Sequence, residues 1–221
     1  MTRYAKRYWI LAAALAALAG YVDAIGLLKM GGLFVSFMSG NSTRFAVGLA
    51  VDHAAAATAA PLIAAFVGGV MVGTILTRIA GDRRKPAALI GVTLLLAAAA
   101  ASEGRASTAP TTALLAAAMG MTNTAFQHDG EVSIGVTYMT GTLVKFGQRL
   151  AAALIGGPRW AWLPYLVLWS GLVGGAWLGA TVYPDYGRGA IEAAAAVAAL
   201  LAGYAAWLGP AGRDAARRGR G

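Results

Sequence analysis

Two short polar interruptions in an otherwise apolar chain hold the residue types best suited to bind a solute. Each interruption combines a glycine with hydroxyl or amide side chains and is followed by a base: Ser39, Gly40, Asn41 and Arg44 in the first, and Thr140, Gly141, Thr142 and Lys145 in the second. A helix that begins inside a bilayer directs unsatisfied backbone N–H groups and a partial positive charge at whatever lies beside its first turn. The pattern therefore favours binding of an anion, or of a polar solute with an acceptor group.

A carboxylate and an amide occupy matching positions ahead of the two interruptions. Asp23 lies in the first apolar segment and Asn123 lies one hundred residues later. An unpaired charge inside a membrane helix costs about 2.5–3.5 kcal/mol on insertion scales, so Asp23 is expected to face the bundle interior. Two interpretations stand side by side. Asp23 and Asn123 line a central site, with Asp23 carrying a proton or cation, or Asp23 neutralises Arg44 or hydrogen-bonds the broken backbone.

The two bases have a simpler interpretation as well. Arg44 and Lys145 lie about one turn into their helices, where their long side chains could extend to the lipid headgroups while the breaks merely permit tight packing. The repetition of both the break and the base favours a binding site over this alternative.

Composition places the chain in a membrane. Of 221 residues, 58% are hydrophobic and only 12% are charged, which leaves too few polar side chains to cover a soluble domain. The net charge of +9 comes from bases at the chain ends and in loops, as topology rules require, so no nucleic-acid partner is expected. The expected partners are the lipid bilayer and a small solute.

The predicted fold is an all-α integral membrane protein with six transmembrane helices and two broken segments. The predicted spans are 8–28, 54–79, 86–102, 108–127, 160–183 and 190–209. The broken segments, 33–51 and 132–154, each open with residues that favour an extended strand and continue as a short half-helix. Ser39 or Asn41, and Thr140 or Thr142, are the expected N-caps.

Charge counting indicates that the broken segments are re-entrant. The count leaves out the bases inside the broken segments. With eight crossings, nine Lys and Arg residues lie on the side of the membrane that holds the N-terminus, and six lie on the other side. With six crossings the split is twelve to three, and only Lys29, Arg105 and Arg188 lie outside. The six-crossing arrangement obeys the positive-inside rule better, and it places both termini and the basic tail 210–221 in the cytoplasm.

Matching motifs divide the chain into two repeats, 1–107 and 108–221. Besides the breaks, the motif Gly20-Tyr21-Val22-Asp23 aligns with Gly120-Met121-Thr122-Asn123, and two glycine motifs align at an offset of 106. Because three crossings precede the second repeat, it starts on the opposite side of the membrane. The repeats are therefore predicted to be inverted, which is typical of transporters with a binding site at the broken helices.

The two glycine motifs predict close contacts between helices. Gly69 and Gly73 in the first repeat, and Gly175 and Gly179 in the second, have the small-xxx-small spacing that lets helix backbones approach. The contacts could be internal, or they could join two copies of the chain as a homodimer.

No catalytic or cofactor motif is recognisable in the sequence. Neither a nucleophile elbow nor a phosphate loop nor metal-ligand spacing occurs, and the chain has no cysteine. The expectation is a protein that is not an enzyme and uses no cofactor or metal.

Residues 20–50 and 120–143 resemble the YoaK-like family of bacterial membrane proteins, whose function is unknown. The resemblance is carried by Gly20-Tyr21-Val22-Asp23-Ala24-Ile25-Gly26, Met38-Ser39-Gly40-Asn41 and Thr137-Tyr138-Met139-Thr140-Gly141-Thr142-Leu143. It implies a bacterial inner-membrane location and implies no activity.

Two functional hypotheses follow. The first is a small secondary transporter or channel whose polar solute lies at mid-membrane between the two half-helix N-termini. The second is a non-transporting scaffold or assembly protein that uses the glycine faces.

Single cysteines introduced into this cysteine-free chain would test the topology. Six crossings predict that cysteines replacing His53 and Ser107 react with an impermeant thiol reagent from outside, and that cysteines replacing Asp82 and His128 do not. Eight crossings predict reaction at position 82 and protection at 53 and 107. Labelling of intact cells, with permeabilised cells as the control, distinguishes the two patterns.

Overall fold

The computed structural model describes residues 6–105, 107–128, 131–132 and 135–209. These residues form eight α-helices: α1 (Lys6–Met30), α2 (Met38–Val51), α3 (His53–Ala80), α4 (Arg84–Ser102), α5 (Ala109–Thr122), α6 (Met139–Leu154), α7 (Leu163–Tyr186) and α8 (Arg188–Leu208). Two 3-10 helices lie at Gly81–Arg83 and Asn123–Phe126, and a two-residue antiparallel ladder joins β1 (Gln127–His128) to β2 (Glu131–Val132). The all-helical prediction is confirmed.

Four stretches of the described chain are long and apolar enough to cross a membrane: Tyr8–Met30, His53–Ser102, Leu163–Tyr186 and Arg188–Leu208. The second stretch has 50 residues, more than twice the roughly 20 that a bilayer needs. It comprises α3 and α4, which pack on each other after the chain reverses at Gly81. Gly81 has a φ of 53°, a left-handed conformation that glycine adopts without steric cost.

The six predicted spans start and end within three residues of observed helices, with one exception. The predicted helix 108–127 ends as an α-helix at Thr122 and continues as the 3-10 helix Asn123–Phe126. Tighter winding at this point places Asn123 and its neighbours beside the second broken segment.

Four helices form the buried centre of the bundle. Helices α1, α4, α5 and α8 supply most of the fully buried apolar side chains, including Leu15, Leu96, Leu115 and Ile191. Helices α3 and α7 pack against them and expose large apolar side chains over much of their length. An apolar outer surface around a packed interior is what a lipid environment requires, since lipid solvates such side chains.

Glycines bring two pairs of helices into backbone contact. A Cβ built on Gly69 of α3 would fall on the carbonyl oxygen of Ala117 in α5, and one built on Gly175 of α7 would fall on that of Ala17 in α1. Gly73 and Gly179 make the next contacts along the same two interfaces, against Thr124 and Tyr21. All four predicted packing glycines therefore lie at helix–helix contacts inside the chain.

Both half-helices begin earlier than their expected caps. Helix α2 starts at Met38 and α6 at Met139, and the preceding residues, Phe37 and Tyr138, make no side-chain capping hydrogen bond. The expected capping by Ser39 or Asn41, and by Thr140 or Thr142, is therefore wrong, because all four lie inside the helices.

The segments before the half-helices are irregular rather than strands. Residues 31–37 and 135–138 contain turns and bends and belong to no sheet. The extended strand predicted at the start of 33–51 is therefore wrong. Of the extended stretch predicted at the start of 132–154, Val132 pairs within the short ladder and residues 135–138 do not. In the first segment, side chains of α1 and α2 take backbone hydrogen bonds that a sheet would have supplied.

Adjacent glycines offer a matched test of the helix contacts. Gly69→Ala and Gly175→Ala should each lower the melting temperature in detergent, since overpacking a close contact costs about 1–3 kcal/mol or more. Gly68→Ala and Gly174→Ala should not lower it, because neither glycine has a neighbour within 4 Å of the added methyl group. Equal melting temperatures for all four variants would contradict the contacts.

Candidate functional site

A carboxylate in α1 holds the first irregular segment in place. The Oδ1 atom of Asp23 accepts hydrogen bonds from the backbone N–H groups of Val35 and Ser36, each at 2.8 Å. Val35 is fully buried and Ser36 is 6% exposed. Two backbone donors that lipid could not satisfy thus find a charged acceptor. The geometry matches the interpretation in which Asp23 bonds the broken backbone.

An amide in α2 completes the support of the same segment. Asn41 is fully buried, and its Oδ1 accepts the N–H of Phe34 at 3.0 Å while its Nδ2 donates to the Phe34 carbonyl at 2.6 Å. These bonds engage both ends of the side-chain amide. In this conformation the Asn41 side chain stabilises the backbone of the irregular segment and is not presented to a solute.

Asn123 performs the corresponding task in the second half of the chain. Its Oδ1 accepts a hydrogen bond from the hydroxyl of Thr137 at 3.0 Å, and its Nδ2 donates to the Met119 carbonyl at 3.0 Å. Asp23 and Asn123 are thus each tied to the irregular segment that follows, one through backbone N–H groups and the other through a hydroxyl. The difference follows from their chemistry, because a carboxylate only accepts whereas an amide must also donate.

The polar residues of the two first turns divide between the surface and the interior. Ser39, Thr140 and Gly141 are exposed, and Gly40 is partly exposed. Thr142 is 6% exposed and donates its hydroxyl to the Tyr138 carbonyl at 3.2 Å. The groups left available for a solute are therefore Ser39 and Thr140, together with the backbone around Gly40 and Gly141.

The two bases lie on the outer surface of the bundle. Arg44 is exposed, and a Cβ built on Gly32 would lie 2.8 Å from its Nη2 atom, so the guanidinium covers the turn that follows α1. Gly32 has a φ of 118°, a left-handed conformation that strains any residue with a side chain. Lys145 is exposed on α6. Arg44 therefore lies beside the C-terminal end of α1.

The two half-helices pack on different neighbours. Helix α2 packs along α3 and α6 along α7, and no extensive contact joins α2 to α6 in the described part of the chain. Among the cavities of the described chain, one of about 440 Å³ lies between α2 and α3 and another of about 270 Å³ lies between α4 and α8. No predicted solute-binding residue lines either of these two cavities. The structure brings Asp23 together with the first break and Asn123 with the second.

Thr137 is a contact residue that sequence reasoning passed over. It lies 101 positions after Ser36, and both residues meet the polar side chain of the preceding helix. Extending the repeat alignment two residues toward the N-terminus of each break would have found the pair.

The helices and the comparisons together define a membrane protein with several transmembrane helices. A family described as "Protein of unknown function (DUF1275)" matches residues 11–204, and the chain belongs to this family. The resemblance to an uncharacterised membrane-protein family is thus confirmed.

A curated relative agrees with this assignment. The chain is 36% identical over 191 residues to "UPF0700 transmembrane protein RA0705" of Rhizobium meliloti (strain 1021), which covers 86% of this chain and 83% of that protein. No solved structure matches the chain.

Substitutions of Asp23 separate a structural carboxylate from one whose charge is needed. Asp23→Leu should lower the melting temperature strongly, since each unpaired backbone N–H costs roughly 1–3 kcal/mol. Asp23→Asn should retain most of the stability, because its oxygen still accepts and its amide can donate to the Ala19 carbonyl, as Asn123 does to Met119. Thermal melting of purified protein measures both.

Asp82→Leu is the control for this comparison, because Asp82 is an exposed carboxylate in the turn between α3 and α4. Its melting temperature should equal that of the unmodified chain. Loss of folding in Asp23→Asn would show that the negative charge itself is required.

Proposed function

We propose that this protein is a small transporter or channel for a polar solute, with an anion favoured, and that its two half-helices contact the solute. One observation carries the proposal. At two matching positions an irregular segment follows a helix and donates a hydrogen bond to a polar residue of that helix. In each case a short helix follows, with exposed polar groups in its first turn. Such paired interruptions are the strongest structural pointer to a transporter's binding site.

The directions of the helices support six crossings. Tyr8 at the start of α1 lies beside Lys85 at the start of α4, whereas Lys29 at the end of α1 bonds Glu103 at the end of α4. Helices α1 and α4 therefore run in the same direction. Since α3 leads into α4 through a three-residue turn, α3 begins at the end of the bundle where α1 finishes. This arrangement supports our proposal that the first broken segment is re-entrant and leaves and returns on one side.

Contacts of the second half support a matching path in the opposite direction. Ser102 near the end of α4 bonds Thr111 near the start of α5, so α5 runs against α4. Tyr183 near the end of α7 bonds Glu103, and Tyr8 near the start of α1 bonds Gly209 after α8. These contacts support a second re-entrant segment at 132–154, an inverted repeat, and both termini on one side, which we assign to the cytoplasm of the inner membrane.

Each helix contact made by the first half has a counterpart made by the corresponding helices of the second half, which supports an inverted repeat. Helix α1 packs on α7 as α5 packs on α3, α2 on α3 as α6 on α7, and α4 on α5 as α8 on α1. The pseudo-two-fold axis then passes between α4 and α8, which pack on each other.

The solute in this proposal meets the first turns of α2 and α6 from the outer side of the bundle. Exposed polar groups at membrane depth need water or protein beside them, because lipid cannot satisfy their hydrogen bonds. Ser39 and Thr140 supply hydroxyls, and Arg44 and Lys145 supply positive charge along the same helices. We place Arg44 at the entrance of the solute's path through the protein, since its guanidinium covers the turn after α1.

A non-transporting membrane protein is the second candidate. It is favoured by the absence, from the two cavities described above, of the predicted solute-binding residues. The glycines expected to bind a partner are occupied by internal contacts, so a partner would need another surface.

Flux measurements distinguish the two candidates. Purified protein in proteoliposomes should accelerate uptake of at least one member of a panel of labelled anions and nucleobases. The double substitution Arg44→Ala and Lys145→Ala should reduce that uptake by about tenfold or more, because both positive charges near the path are lost. Arg188→Ala is the control, since Arg188 is exposed at the start of α8 and pairs with Glu192.

Two results would overturn the transport proposal. One is an absence of uptake across the whole panel by folded protein. The other is uptake that the double substitution leaves unchanged, which would separate transport from the half-helices.

A further inference from the structure

Three helices are tied together at one end of the bundle by a buried charged cluster. Lys29 Nζ lies 2.8 Å from Glu103 Oε1, and the Tyr183 hydroxyl donates to the same oxygen at 2.9 Å. The side chains of Lys29 and Glu103 are only 9% and 11% exposed. We propose that Lys29, Glu103 and Tyr183 form a latch, a set of contacts that keeps one face of the protein closed to water. This face is the end of the bundle at which α1, α4 and α7 finish.

The latch joins elements that would have to separate for the face to open. Lys29 belongs to α1, Glu103 follows α4, and Tyr183 belongs to α7. In the inverted-repeat division α1 and α4 belong to the first half and α7 to the second. The Lys29–Glu103 pair therefore lies within the first half, and the hydrogen bond from Tyr183 connects it to the second half. Relative movement of such halves gives alternating access in transporters of this architecture. The inference rests on the proposed function, because a latch implies a face that opens.

The electrostatics make the cluster depend on its single ion pair. All three residues lie at helix C-terminal ends, where the macrodipoles present partial negative charge. Lys29 supplies the positive charge that pairs with Glu103 there, and loss of either charge removes this attraction between α1 and the end of α4.

Glu103 is incompletely satisfied in the closed arrangement. Lys29 and Tyr183 both bond Oε1, while the buried Oε2 has no hydrogen-bond partner among the described residues. A carboxylate held by one oxygen is easier to release than one held by both, because fewer bonds must break together. The contacts at Glu103 therefore allow the latch to open as well as to close.

The opposite end of the bundle is built differently. There Lys85 Nζ lies 4.4 Å from the ring centroid of Tyr8, and the Tyr8 hydroxyl donates to the Gly209 carbonyl at 3.4 Å. Glu103 is the C-cap of α4, and Gly209 is the C-cap of α8, so the carboxylate at one end is matched by a glycine at the other. The two faces are thus closed by different chemistry.

Ser36 offers a reporter position behind the latch. It is 6% exposed and bonds Asp23, which lies six residues before Lys29 on α1, about 9 Å along the helix axis. Opening at the Lys29 end should expose it to water. Thr124 lies in the second half of the chain, is fully buried beside Gly73, and serves as the control position.

The test measures the rate at which a water-soluble maleimide labels a single cysteine in protein reconstituted into lipid nanodiscs. In the Ser36→Cys background, Glu103→Gln should raise the rate about tenfold or more, as expected when a buried pair loses one charge. Tyr183→Phe should raise it less, and the swap Lys29→Glu with Glu103→Lys should restore the slow rate. Glu192→Gln, which breaks the exposed pair with Arg188, should leave the rate unchanged.

The control reporter decides between opening and general loosening. With Thr124→Cys, Glu103→Gln should not raise the labelling rate. An equal rise at both positions, or no rise at Ser36→Cys, would overturn the latch. Because no solute is used, failure here leaves the flux result standing, and a negative flux result leaves the labelling result standing.

Discussion

The need to satisfy backbone N–H groups away from water is the constraint on which this structure depends. An α-helix satisfies its own backbone, so the apolar helices can lie in lipid without further help. The two interruptions cannot. The first is bonded by side chains of the helices before and after it, and the second is bonded at the Thr137 hydroxyl by Asn123. Asp23 takes two backbone N–H groups and Asn41 takes both polar groups of Phe34. Polar residues inside these helices thus have a structural role that precedes any contact with a solute.

Close helix packing explains why the interruptions can be held in the same way twice. Small residues allow α1 to contact α7, and α5 to contact α3, at backbone distance. In lipid such contacts gain van der Waals energy rather than hydrophobic energy, so they depend on the absence of side chains at particular positions. They fix the helices that carry Asp23 and Asn123, and these helices in turn fix the half-helices outside them.

The charged residues separate into two kinds of environment. The pair formed by Lys29 and Glu103 is almost wholly buried, whereas Arg44 and Lys145 are exposed on the outer helices. A buried ion pair is costly to desolvate and is better suited to fixing one arrangement of helices than to adding stability. The bases on the half-helices make no such buried pair and are exposed. The charged residues of this apolar chain therefore divide into a largely buried pair that ties helices together and exposed bases on the outer helices.

Sequence patterns determined the membrane class, most limits of the six predicted spans, the positions of the breaks and the corresponding positions of Asp23 and Asn123 ahead of them, because hydropathy, glycine spacing and internal repetition are local properties. They did not determine the caps of α2 and α6, since the N-terminus of a short helix depends on what braces the preceding segment. They also gave no sign that Lys29, Glu103 and Tyr183 meet, because these residues are separated by 74 and 80 positions. Nor did they show that Asn41 faces inward while Ser39 faces outward. Only the packing of α1, α4 and α7 decided these contacts, since burial and hydrogen bonding between distant segments arise when the helices come together.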